Sequence, residues 1–201
     1  MTLPTLLAVM AFAMVTSITP GPNNMMLLAS GVNHGFRATL PHIAGISGGL
    51  LVLLLAAGLG LGALLQQWPA LYLVLKTVGA VYMVWLAWQL WHAGAPQVAE
   101  HQTRPAGLMG FWGAAAFQWV NPKAWMIAIG AVAGFAAPDG GFAAVLALGL
   151  VCALVNVPCI SLWALAGAKL SRALAEPARR RRFNALMSLS LLASIWPMLG
   201  A

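Results

Sequence analysis

Six apolar stretches, near residues 4–31, 38–66, 69–92, 107–135, 142–169 and 183–200, take up nearly the whole chain, and the segments between them hold most of the charged and turn-forming residues. Each is close to or above the roughly 20 residues that carry a helix across a bilayer, so the pattern predicts six transmembrane helices and leaves nothing over for a soluble domain. Polar, proline-bearing motifs interrupt two of the stretches: Thr19-Pro20-Gly21-Pro22-Asn23-Asn24 in the first and Asn121-Pro122-Lys123 in the fourth. Proline lacks a backbone donor and clashes with the preceding turn, so each motif is expected to break its helix. At membrane depth, backbone outside a helix is tolerated only where it is buried in protein or lines a wet cavity. Interrupted segments in corresponding halves of a chain point to the central binding site of a transporter.

Composition strengthens this reading. With 62% hydrophobic and 6% charged residues, the chain falls far short of the roughly 25–35% charge that a soluble surface carries, and an integral membrane protein is expected. Lys and Arg outnumber Asp and Glu ten to three, but the excess is local. Arg179, Arg180, Arg181 and Arg182 form one block that suits topology and lipid headgroups, and no basic groove with interleaved aromatics suggests nucleic acid.

Arg37, Arg104, Lys169, Arg172 and the Arg179 to Arg182 block follow the first, third and fifth spans, whereas the intervening turns and both termini carry no Lys or Arg. The positive-inside rule then places those loops in the cytoplasm and both termini outside. The N-terminus has no basic leader region, and its apolar run continues to Pro20, so it is expected to be a retained first helix.

Three spans per half require the second half to enter the membrane from the opposite face, the condition for an inverted repeat. Repeat one covers 1–92, a linker 93–106, and repeat two 107–201. Pro20 and Pro122 both lie about 23 Å along their spans, so with tilt the two breaks are expected to converge on one cavity. Small-residue faces at Gly31-xxx-Gly35, Gly45-xxx-Gly49, Gly58-x-Gly60-x-Gly62 and Gly130-xxx-Gly134 suit close helix packing within the chain, or the face of a homodimer.

The breaks supply the chemistry. A helix restarting at Pro22 leaves unpaired N–H groups at Asn23 and Asn24 and a positive dipole end, where a carboxylate fits. Carbonyls without an i+4 donor, such as those near Thr16 and Ile18, can accept from an ammonium group. Together they offer both poles that a zwitterionic amino acid needs, with Pro20, Gly21 and Pro22 shaping the break. In the second break, Asn121 and Pro122 precede Lys123, and no Asp or Glu lies inside any span to pair with it. A cation buried in this way is a functional candidate, as a partner for the substrate carboxylate or as a proton carrier. Asn156 with Pro158 forms a third, lesser interruption that can face the same cavity. The four histidines are too scattered for a metal site, and no cofactor is expected. Cys152 and Cys159 lie about 10 Å apart along one helix, too far for a disulfide.

At these residues the chain resembles the lysine-exporter (LysE/RhtB) family of bacterial amino-acid effluxers. The likeness rests on Thr19-Pro20-Gly21-Pro22-Asn23-Asn24, His34-Gly35-Phe36-Arg37 with Gly45 and Gly49, Trp85-Leu86-Ala87-Trp88, Phe111-Trp112, Gln118-Trp119-Val120-Asn121-Pro122-Lys123, and Trp163-Ala164-Leu165-Ala166-Gly167. The combination is most similar to the cysteine and O-acetylserine exporter branch. The resemblance implies a bacterial inner-membrane protein, not an enzyme, that exports small neutral amino acids or derivatives of the cysteine/O-acetylserine, threonine/homoserine or leucine type. Many family members have an acidic residue where Asn23 stands, and its absence argues against a cationic substrate. The rival readings are a membrane thiol-disulfide oxidoreductase, which would need thiols able to meet, and a structural membrane subunit, which would leave Lys123 without a purpose.

Overall fold

The structure, a computed structural model, describes residues 1–61, 67–92, 109–136 and 140–196, and of residues 69, 71 and 72 the backbone only. Among the described residues every element is helical: α1 (Leu3–Ile18), α2 (Pro22–Ala56, extended by a π turn over Ala57–Leu61), α3 (Pro69–His92), α4 (Phe111–Gln118), α5 (Pro122–Phe135), α6 (Gly141–Ala173) and α7 (Pro177–Ala193). Both breaks fall where the prolines place them. Pro22 and Pro122 each start a helix, because the first turn has no use for the N–H that proline lacks. The expected linker at 93–106 lies outside the described residues, as does Arg104.

A straight α2 would be far longer than a bilayer is thick. It folds back at Gly35, whose φ of 80° and ψ of 166° lie outside the helical region. Ser30 and Thr39 therefore meet through their hydroxyls at 2.9 Å, and Leu27 packs with Ile43 and Ile46 in one cluster. The result is a helical hairpin with arms at 22–34 and 36–56.

Glycine sets how closely these arms meet their neighbours. A Cβ on Gly31 would collide with the Ala164 carbonyl of α6, and one on Gly167 with the Leu28 carbonyl. Likewise Gly45 and Gly49 lie against the backbone of Phe111 and Ala115 in α4. These small faces serve packing within the chain. The other main packing partners are α1 with α6 and α3 with α7.

Large apolar side chains cover the outside, and polar side chains lie among the apolar core. Leu7, Val15, Trp112, Met126, Leu154 and Trp196 are exposed, while Ser17, Asn24, His42, Gln118, Asn121, Asn156 and Asn184 are buried. An apolar exterior with the polar side chains held inside is what a hydrocarbon solvent selects. Three stretches, Pro22–Leu61, Leu73–His92 and Gly141–Ala173, are long and apolar enough to cross a membrane by length and composition. The chain is an integral membrane protein.

Two expectations are corrected. Pro158 does not interrupt its helix: α6 runs unbroken for 33 residues, because a lone proline without a neighbouring glycine or second proline lets the helix continue past one missing hydrogen bond. The last helix also starts earlier than its apolar stretch, at Pro177, so the Arg179 to Arg182 block forms its opening turns.

Candidate functional site

The break between α1 and α2 leaves the carbonyls at the end of α1 without helical donors, and polar side chains meet each of them. The Thr19 hydroxyl donates to the Thr16 carbonyl at 3.0 Å, and the Asn24 amide donates to the carbonyls of Ser17 and Thr19, both at 2.8 Å. The Trp163 indole of α6 donates to the Ile18 carbonyl at 3.3 Å. The carbonyls expected to receive a substrate ammonium thus each already have a donor within the chain, because a buried unpaired carbonyl is costly.

Lys123 completes the set from the other break. Its ammonium donates to the Thr19 carbonyl at 2.6 Å, the Thr19 hydroxyl at 2.9 Å and the Pro20 carbonyl at 3.3 Å. An ammonium has three hydrogens, so these contacts use its whole donor capacity. Gly21 makes the approach feasible, since a Cβ there would stand 2.8 Å from the Lys123 Cδ. At the base of α5 the Asn121 side chain accepts from the Lys123 backbone N–H at 3.1 Å, capping the helix that carries the cation.

A second link joins the breaks. The Asn23 amide donates to the Gln118 side-chain oxygen at 2.9 Å, and the Gln118 amide returns a bond to the Asn23 oxygen at 3.3 Å. Gln118 is buried and also donates to the Ala114 carbonyl at 2.8 Å. Behind them, Asn156 of α6 donates to the Ser17 hydroxyl and accepts from the Ser47 hydroxyl, each at 2.9 Å.

These side chains surround a half-open cavity lined by Ser17, Gly21, Asn23, Asn24, Gln118, Asn121, Lys123 and Asn156, with Ile46, Leu50, Ile127 and Ile160 among its apolar walls. No carboxylate is among the lining residues. Of the residues singled out in the sequence, Gly21, Asn23, Asn24, Asn121, Lys123 and Asn156 converge there. Pro20, Pro22 and Pro122 shape the breaks without lining it. Ser17 and Ser47 were not singled out and Gln118 entered only through the motif that carries the family likeness, although each is a polar residue within an apolar span. Among the described residues no group of His, Cys, Asp and Glu is arranged to hold a metal, and Cys152 and Cys159 are buried free thiols.

The profile of the LysE type translocators matches residues 14–193, which contain both breaks and every residue of this cavity. The chain belongs to the LysE type translocator family. This translocator is 34% identical over 183 residues to the cysteine/O-acetylserine efflux protein of Salmonella typhi, covering 90% of each chain. It is also 34% identical over 193 residues to the protein of that name from Escherichia coli O1:K1 / APEC, covering 94% of this chain and 95% of the relative. No solved structure matches it. As a LysE type translocator it is an amino-acid exporter and not an enzyme, and the cavity is to be read as a place for binding and release.

Proposed function

We propose that the chain is a secondary transporter that exports small neutral amino acids or derivatives, of the cysteine and O-acetylserine kind, across the bacterial inner membrane. The observation that carries this reading is the convergence of two helix breaks, about a hundred residues apart in sequence, on one polar cavity. The names of the relatives support the substrate class.

The substrate is bound by an exchange of ion partners. Its carboxylate docks at the first turn of α2, whose N–H groups lack helical acceptors and which has no capping side chain. That charge draws the Lys123 ammonium away from Thr19 and Pro20, and the carbonyls it leaves receive the substrate ammonium. Asn23, Asn24, Asn121, Asn156 and Gln118 offer neutral hydrogen bonds to the side chain. A cationic side chain would meet Lys123 with no carboxylate to balance it.

Alternating access follows if the halves rock about the Lys123 and Asn23–Gln118 links. Six spans arranged as an inverted repeat are supported by the packing, in which α1 lies against α6 while α4 lies against the second arm of α2. These contacts exchange when the first span is swapped with the fourth and the second with the fifth. The positive-inside pattern puts the Gly35 turn in the cytoplasm and both termini outside.

The test is efflux from proteoliposomes loaded with labelled O-acetylserine, cysteine, threonine, homoserine or leucine. Release of at least one, above that from protein-free liposomes, is the expected result. Release of none would contradict the proposal.

A further inference from the structure

A second, half-open cavity lies along the first arm of α2 between the break and the Gly35 turn. Its lining includes Met26, Ser30, Asn33, His42, Gln89 and Met109. Asn23 and Asn24 face the first cavity, while Met26, Ala29, Ser30 and Asn33, on the following turns of the same arm, face the second. In the proposed orientation the second cavity lies between the central site and the cytoplasm, on the side from which an exported solute arrives.

Two of its polar side chains hold atoms without partners among the described residues. His42 is only 2% exposed, yet neither Nδ1 nor Nε2 meets a hydrogen-bond partner among the described residues, and the buried Asn33 side-chain oxygen has none either. A neutral imidazole presents one N–H donor and one acceptor nitrogen. A buried polar group left unmatched is costly, so an unpartnered ring beside a cavity suits a polar guest that supplies a partner to one of its nitrogens. Asn184 and the Ala29 carbonyl already occupy the Asn33 amide, at 3.1 and 3.0 Å, which fixes that side chain and leaves its oxygen for the guest. At the turn end stands His34, whose protonation is disfavoured by burial and, after it, by the charge of the Arg180 guanidinium, so that end carries a positive charge that suits a carboxylate.

We propose that this second cavity is a cytoplasm-facing loading site, in which one ring nitrogen of His42 hydrogen-bonds a polar side chain, such as a hydroxyl or thiol, of an incoming amino acid. The inference rests on the export reading above. Met26 and Met109 wall the site with flexible thioethers, which adapt to side chains of different shape. From here the solute passes one helical turn along α2 to the break, where Lys123 exchanges partners.

The test uses inverted membrane vesicles, whose outer face is the cytoplasmic one, and the initial rate of uptake of whichever amino acid of the panel is transported. His42→Leu is expected to raise KM about tenfold and to leave kcat within about twofold, as removal of one hydrogen bond would do. His42→Gln keeps a donor and an acceptor and is expected to stay within about threefold of the natural protein. In a Cys152→Ser/Cys159→Ser background, Ala29→Cys is expected to be alkylated by N-ethylmaleimide from the cytoplasmic side and protected by the transported amino acid. This readout decides the matter even where His42→Leu fails to insert. An unchanged KM in an inserted His42→Leu, a His42→Gln as impaired as the leucine variant, or alkylation at Ala29→Cys that is absent or unprotected would overturn the loading site while export stands. Vesicles of the natural protein that take up no member of the panel would overturn export and the loading site with it.

Discussion

The Lys123 ammonium lies 2.6 Å from the Thr19 carbonyl, and that contact ties two helix breaks separated by 104 residues. Neither group is satisfied by its own helix. Thr19 follows the last residue of α1 and has lost the donors of a continuing turn, while Lys123 sits in the first turn of α5, where the helix dipole is unfavourable for a cation. Each resolves the electrostatic problem of the other.

Gly21 keeps this contact short. A methyl group there would press on the Lys123 side chain, 2.8 Å from Cδ, and the flexible lysine is the part that yields. The extended backbone at Gly21 is open to alanine. Gly21→Ala is therefore expected to insert and melt normally while transport falls about threefold to tenfold, measured as initial efflux per inserted molecule.

The hairpin turn makes a different demand. Gly35 has open space where a Cβ would stand, but its φ of +80° with extended ψ is a conformation only glycine adopts readily. Gly35→Ala is expected to cost about 1–3 kcal/mol of stability. Gly134→Ala, at an equally open position within the helical α5, is expected to cost nothing measurable. Reversible unfolding in mixed micelles compares the two.

These positions show what the sequence could and could not reveal. Both breaks were readable because paired prolines with glycine, or Asn-Pro-Lys, leave an apolar helix no regular alternative, and Asn23, Asn24, Asn121 and Lys123 could be named from those motifs alone. Asn156 was found through Pro158 for the wrong reason, since α6 does not break there and the asparagine reaches the cavity from an intact helix. Gln118 and Ser17 were missed as site residues because a lone polar residue in a membrane span has no address until its partner on another helix is known. Filling of the freed carbonyls by Trp163 and Lys123 is a property of tertiary packing that no local motif records.

Burial, and after it the charge of Arg180, holds the pKa of His34 below its ordinary value of about 6.5. Between the folded pKa and 6.5 the unfolded chain binds the extra proton, so stability rises with pH through that window and is lost as pH falls. Arg180→Gln is expected to move the folded pKa back toward 6.5 without restoring it fully, because burial remains. Titration of labelled imidazole resonances, with His34 assigned through His34→Gln, measures the shift. An unchanged pKa in Arg180→Gln would place the guanidinium elsewhere.

Orientation is tested by a reporter enzyme fused after Ala201. With the basic loops held inside, the fusion is expected to be active only when the reporter works in the periplasm. Cytoplasmic activity at that position would overturn the orientation or require an odd number of spans.

The central claim is that substrate is handled where Lys123 joins the two breaks, and transport by Lys123→Met and Lys123→Arg across pH tests it most directly. Methionine has the length but no donor, and arginine can donate to the same carbonyls but does not give up a proton. The account predicts that the methionine variant loses at least about tenfold in efflux per inserted molecule, and that the arginine variant keeps part of it with the pH profile of the natural protein. Natural rates from Lys123→Met would contradict it.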